Sequence, residues 1–312
     1  MNRSALLVSA FEPSRIAFGR HETFPLRYSW LTKGFQALLE DPGVFSSDEA
    51  TVTLGVGKNM VNSIRYWLRA MRMMDAKDNA PTSLGRKLLA EDGYDPYLED
   101  EATIWLLHWL HATNPEQATT AYWLFNRFHK PTFASEEAVS ALVTFVKENV
   151  TGKYSINTVK QDIAVILRMY APSRKATKVA MEDALDSPLA ALRLITRQEI
   201  QRGFISYPEA RSSLPVEIVG YAITELLRFH GERAIQFQEL MYGRFGQLAL
   251  GSIFRLSETA LLTILEQLVV KYHKHYEIRE TAGVHQLYQL DDVNPGMFLD
   301  RHFGQHAGKV AA

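Results

Sequence analysis

Between Lys58 and Met73 the apolar residues Val61, Ile64, Leu68 and Met71 recur at intervals of three, four and three. That spacing makes one stripe of an α-helix and cannot serve a strand, whose faces alternate every second residue. The opposite face carries Lys58, Asn62, Arg65, Arg69 and Arg72. The same period returns in Trp30–Leu39, Thr103–Ala112, Ser135–Val150, 157–170 (Val159, Ile163, Ile166, Tyr170), 216–227 and 257–268, so a mainly α fold is expected. Asp41-Pro42-Gly43, Thr151-Gly152 and Asn114-Pro115 punctuate these helices.

The order of the pieces is informative. A helix to Leu39 is followed by a short one over Ser47–Leu54, a glycine turn at Leu54-Gly55-Val56-Gly57, the long helix, and a hairpin or exposed loop over 74–83. That is the order of a winged helix-turn-helix, whose second helix enters the DNA major groove. A second such unit is expected over Ser135–Tyr170. A third ends in an alternating segment, Tyr276–Leu290, that reads as a β-hairpin wing around Ala282-Gly283. The expected architecture is therefore multiple winged helix-turn-helix units with short β-hairpin wings. Three domains are expected: 1–98, 99–200 and 201–312. A further short helix is expected over Leu189–Ile195, after a connector at 182–189, and the segment past Asn294-Pro295 reads as a tail. The N-terminal MNRSALLVSAFEPSR carries too little basic charge for a signal peptide and reads as a first strand or short helix of a cytoplasmic protein.

The formal net charge of the 312 residues is −1, so any polyanion surface must arise by local segregation. From Lys58 to Lys87 seven Lys or Arg stand against two Asp, and from Lys153 to Lys178 six bases stand against one acid. Basic residues also solvate ordinary helix faces, but together with the element order they point to DNA. Lys58, Asn59, Asn62, Arg65 and Arg69 are the expected contacts, with Lys160 as a secondary site. Asn59, Asn62 and Arg65 suit base edges, and the lysines suit phosphates. The chain has no cysteine, which excludes disulfides, thiolate metal sites and a cysteine nucleophile. No stretch reaches the roughly 18 apolar residues of a transmembrane helix.

Signals for catalysis are weaker. Leu54–Asn59 superficially resembles a phosphate loop but lacks its first glycine and the Ser or Thr after the lysine. His21-Glu22 could hold a divalent ion or act as acid and base; a hydrogen-bonded histidine near a domain edge is the plainer reading. Asp95, Glu99 and Asp100 precede His108 and His111, which share a helix face. Such carboxylates, Glu99 and Asp100 above all, could bind Mg²⁺ or Mn²⁺ for phosphodiester cleavage, although acids also gather where the helix dipole favours them. The catalytic candidates are thus His21, Glu22, Asp95, Glu99, Asp100 and His108.

The blocks HETFPLRYSWLTKGF and LGVGKNMVNSIRYWL (within 21–73), DPYLEDEATIWLLHWLH (95–111), INTVKQDIAVILRMY (156–170) and EDALDSPLAALRLI (182–195) together resemble the SspB-like proteins, a domain-of-unknown-function family. The resemblance is good over roughly 18–200 and looser beyond. It implies a place in a bacterial DNA phosphorothioation and antiphage defence system. There sulfur replaces a non-bridging phosphate oxygen, and the SspB-like member nicks one strand of double-stranded DNA, with a divalent metal if it does so itself. The implied partners are an ATPase, a cysteine desulfurase and a reductase-like sulfurtransferase, and the absence of cysteine fits a subunit that carries no persulfide. The alternative is a non-catalytic DNA-binding adaptor that recruits the modification machinery. The sequence leaves open which units touch DNA and whether a homodimer forms.

Overall fold

The computed structural model describes residues 7–172, 187–198, 203–244, 248–281 and 283–310. Over these it is mainly helical, with small antiparallel sheets. Most of the connector expected at 182–189, and Arg174, Lys175 and Lys178 of the second basic run, lie outside the described residues, as do the first six residues of the chain. Residues 7–15, expected as strand or helix, form neither. The chain divides into two compact units. The larger comprises Phe11–Leu124 and Lys130–Tyr207; the smaller takes in residues 7–10, Phe125–His129 and the chain from Pro208. The division expected at 98/99 falls inside the larger unit, and that at 200/201 lies shortly before Pro208.

In the larger unit α1 (Tyr28–Glu40) buries Trp30, Leu31, Phe35 and Leu38, and ends where Asp41 Oδ1 accepts the Gly43 N–H at 2.8 Å. The short α2 (Ala50–Leu54) leads through Gly55, left-handed at φ 60°, into α3 (Lys58–Ala70). The stripe Val61, Ile64, Leu68 and Met71 is buried as its period demands. The chain then loops back through a single antiparallel bridge, Met74 to Pro81, and Thr82 caps α4 (Ser83–Leu89) by accepting the Gly85 N–H at 2.9 Å. Beyond Glu101, every residue of α5 (Glu101–Ala112) is buried, which makes it a core helix. There follow α6 (Thr119–Asn126), α7 (Ser135–Asn149) and α8 (Ile156–Tyr170). The strands β1 (Thr132–Phe133), β2 (Thr196–Gln198) and β3 (Gly203–Ile205) pair antiparallel in the order β1-β3-β2. The helix expected over Leu189–Ile195 is instead a 3-10 turn, Pro188–Leu192. Arg193 breaks it by turning left-handed (φ 50°) ahead of β2.

The smaller unit runs α9 (Val216–His230), β4 (Ala234–Gln236), α10 (Phe237–Tyr242), α11 (Leu250–Ile253), α12 (Glu258–Lys271), then β5 (Tyr276–Thr281) and β6 (Val284–Gln289). The expected hairpin is present, and β4 joins it in the order β4-β6-β5. The expected tail is a helix, α13 (Gly296–Val310). Phe298, Leu299 and Phe303 recur at helical spacing and are buried; the Phe298 ring fills the space left by Gly220 of α9 and lies 4.9 Å from Tyr272. Three buried apolar side chains supply the packing that a tail lacks.

One buried carboxylate ties the N-terminal segment of the larger unit to α8. Asp162 Oδ1 accepts the Gly19 N–H at 2.8 Å and meets His21 Nε2 at 3.0 Å, and its Oδ2 accepts the Thr120 hydroxyl at 3.1 Å. His21 Nδ1 accepts the Thr23 N–H at 3.1 Å, so Nε2 carries the proton that faces Asp162. Gly19 is left-handed (φ 72°), and a Cβ there would run into the Thr158 methyl of α8. Glu22 and Thr23 follow, both left-handed, with the Thr23 carbonyl taken by Arg168 at 2.6 Å and the Phe24 carbonyl by Trp67 Nε1 at 3.2 Å. Nearby, His111 is fully buried with neither ring nitrogen hydrogen-bonded, and its ring meets Trp67 edge-on at 5.7 Å. Burial, with lesser contributions from His108 and His21, lowers its pKa to about 3.

Two stability measurements follow. Asp162→Ala strands several buried donors at once, and urea denaturation should show a loss of about 3 kcal/mol or more. His111 titrates near 6.5 when unfolded and at about 3 when folded. Its contribution is therefore complete above pH 6.5 and is lost as pH falls towards 3. His111→Leu should accordingly gain stability relative to wild type between pH 7 and 5, by up to about 1.4 kcal/mol per pH unit below 6. Parallel pH profiles for the two proteins would contradict this.

Candidate nucleic-acid interface

On α3 the fold separates two kinds of polar residue. Lys58, Asn59 and Asn62, in the first turns, are exposed. Arg65 and Arg69, a turn or two further on, are half-buried, and an Nη2 of each donates to the side-chain oxygen of Asn79 in the loop from Met74 to Pro81. Asn79 is left-handed (φ 62°), and Asp75 braces the same loop by accepting the Lys77 N–H at 2.7 Å. The two arginines thus clamp this loop to the helix. Arg72 reaches the Thr113 carbonyl at 2.9 Å and serves the packing of α3 on α5. Lys160 is exposed on α8.

The electrostatics of the cluster are lopsided. Among the described residues no carboxylate forms an ion pair with Arg65, Arg69 or Arg20. Burial lowers the Arg69 pKa, and the neighbouring charges of Arg65 and Arg20 lower it further, against a partial offset from Asp75. Like charges gathered without a counter-charge raise the free energy of the apo protein, and a polyanion relieves it. Arg20 and Asn79 escaped the sequence reading. Both lie in loops, where no periodicity marks them.

The catalytic candidates do not converge on a single cleft. His21 is taken up by Asp162 and Glu22 is exposed beside it. Asp95 spends its oxygens on the Glu99 N–H (2.8 Å) and the Asp100 N–H (3.0 Å), and Asp100 caps α5 through the Ala102 N–H at 2.8 Å. Glu99 is exposed, and His108 is buried with its Nδ1 2.8 Å from the Tyr170 hydroxyl. With Asp95 and Asp100 engaged by the backbone, the acidic block does not fit a preformed metal site, and among the described residues no three His, Asp or Glu side chains come together in a way that could hold an ion. No helix of the described residues is long and apolar enough to cross a membrane.

The profile of one protein family, described as "Protein of unknown function (DUF4007)", matches residues 18–303. A search of curated proteins finds no match. Two solved structures are similar over nearly the whole chain. One, an SspB crystal structure, is 29% identical, with a TM-score of 0.81, and the match covers 96% of this chain and 91% of that one. The other, a magnesium ion-bound SspB crystal structure, is 28% identical, with a TM-score of 0.83, and the match covers 96% and 90%. By the extent of the family match and the agreement of both sequence and fold, this chain belongs to the SspB-like DUF4007 family.

Proposed function

We propose that this chain is the double-stranded-DNA-binding member of a DNA phosphorothioation system and nicks one strand for sulfur incorporation. The observation that carries the DNA reading is α3, whose exposed Lys58, Asn59 and Asn62 adjoin two arginines held without carboxylate partners. In this reading α2, the Gly55–Gly57 turn and α3 act as a helix-turn-helix with the loop from Met74 to Pro81 as its wing. The β4-β6-β5 sheet with α9, α10 and α12 serves as a second winged unit, and α7 and α8 as a third. Lys58 and Lys160 meet phosphates, while Asn59, Asn62 and Arg65 face the groove. SspB-like membership supports the assignment to the system, and with it partnership with an ATPase, a cysteine desulfurase and a sulfurtransferase.

Phosphodiester hydrolysis needs a nucleophile and stabilisation of developing charge, usually with metal. A relative's structure holds magnesium, whereas in this chain Asp95 and Asp100 are committed to backbone N–H groups. The dispersal of His21, Asp95 and His108 onto separate structural partners favours the second reading, an adaptor that binds DNA while another subunit cuts.

Two experiments test these readings. Lys58→Ala with Asn62→Ala should weaken duplex binding about tenfold at low salt and reduce the slope of log affinity against log salt by about one. Unchanged affinity in a gel shift would remove α3 from the interface. On the nicking reading, supercoiled plasmid incubated with the chain in the presence of Mg²⁺, Mn²⁺ or EDTA should convert to open circle in at least one of these conditions. Absence of conversion alone and with the partner proteins, alongside salt-sensitive binding, would decide for the adaptor.

A further inference from the structure

The segment from Ser14 to Arg20 separates two clefts, and Arg20 lines both. One, about 310 Å³, is bounded by Ile16, Phe18, Arg20, Lys153 and Tyr154, among others. The other, about 330 Å³, is bounded by Arg15, Arg20, Arg69 and Glu116, among others. They differ in chemistry. In the second, Arg15 is already paired with Glu116 at 2.8 Å. In the first, neither Arg20 nor Lys153 forms an ion pair with a carboxylate among the described residues, and both are exposed. Two aromatic rings stand beside these free cations, Tyr154 at 37% exposure and the half-buried Phe18.

Backbone hydrogen bonds anchor the segment on one side of this cleft. The Thr151 and Gly152 N–H groups both donate to the Pro13 carbonyl, at 2.9 and 3.2 Å, fastening Pro13 to the turn between α7 and α8. Gly19 and His21, on either side of Arg20, are both tied to Asp162. The side chain of Arg20 is therefore presented from a segment pinned at both neighbours.

A free cation pair beside accessible aromatic rings is the combination by which proteins hold unpaired nucleotides, the rings stacking on bases and the cations taking phosphates. The α3 face has no exposed aromatic residue, and its Lys and Asn side chains suit a duplex groove instead. We propose that the cleft between Phe18, Arg20, Lys153 and Tyr154 is a single-stranded DNA subsite, with a base on Tyr154 and the adjoining phosphate on Arg20 and Lys153. The inference rests on the DNA-binding reading for its biological sense, but not for its test. It gives this chain a place to hold a strand separated from its complement, next to the helix proposed to hold the duplex.

The test uses the full chain and two fluorescein-labelled probes at low salt, a twelve-nucleotide oligo(dT) and a duplex of mixed sequence, read by anisotropy. Tyr154→Ala and Lys153→Ala are exposed substitutions, and circular dichroism checks that both fold. Each should weaken oligo(dT) binding about tenfold and leave duplex binding within about twofold. Tyr154→Phe, which keeps the ring, should retain oligo(dT) affinity. The Lys58→Ala, Asn62→Ala variant should show the reverse pattern. Wild-type protein that ignores oligo(dT), or a Tyr154→Ala protein that binds it as wild type does, overturns the subsite whatever the duplex result. Oligo(dT) binding that depends on Tyr154, with no duplex binding, would leave the subsite standing and overturn the duplex reading.

Discussion

The carboxylate of Asp162 is the junction on which the basic face of the larger unit depends. It is buried on α8 and receives a backbone N–H from Gly19, the His21 ring and the Thr120 hydroxyl. A buried carboxylate is costly unless its lone pairs are met, and here three donors meet it. The consequence is positional. Two of those donors flank Arg20, and the chain beyond them passes through left-handed Glu22 and Thr23, the latter held at its carbonyl by Arg168 and at its N–H by His21. A segment with no regular secondary structure is thereby hydrogen-bonded to α8 at Gly19, His21 and Thr23.

That rigidity sets the electrostatics. The chain is almost neutral overall, yet Arg20, Arg65 and Arg69 come together without a carboxylate in ion-pair contact among the described residues. Left mobile, such side chains would move apart; here Asn79 holds two of them and the Asp162 junction fixes the backbone of the third. The free energy of like charges is lowered when phosphates arrive, which is how a protein of nearly zero net charge can acquire a local preference for nucleic acid. In the acidic block, Asp95 and Asp100 are instead spent on bracing the turn before α5 and capping it.

Much of the helical scaffold was legible in the sequence. The stripe of α3, the Ser257 cap of α12 (its hydroxyl accepting the Ala260 N–H at 3.2 Å) and the Tyr276–Leu290 hairpin all follow local rules of period and capping. Where local rules misled, packing was the reason. Asn294-Pro295 looks like the start of a tail because the turn residues are strong. The helix after it exists because Phe298 finds a glycine-sized space on α9, a partner far away in sequence. At 189–195 the apolar residues are buried as a helix would bury them, but a left-handed Arg193 turns the chain into a strand.

The sequence by itself determined the helices, their buried stripes and the two runs of basic charge, because each is written within a few turns of chain. It marked His21 as a residue of interest without saying what the ring would meet. Only the tertiary structure decided that Asp162, 141 residues away, would take it, that Arg20 would stand between two clefts beside Arg69, and that Tyr154 and Phe18 would flank the same free cations. Such contacts join loops to helices across long separations. No periodicity encodes them, and they form only when buried donors and acceptors across the whole unit are satisfied together.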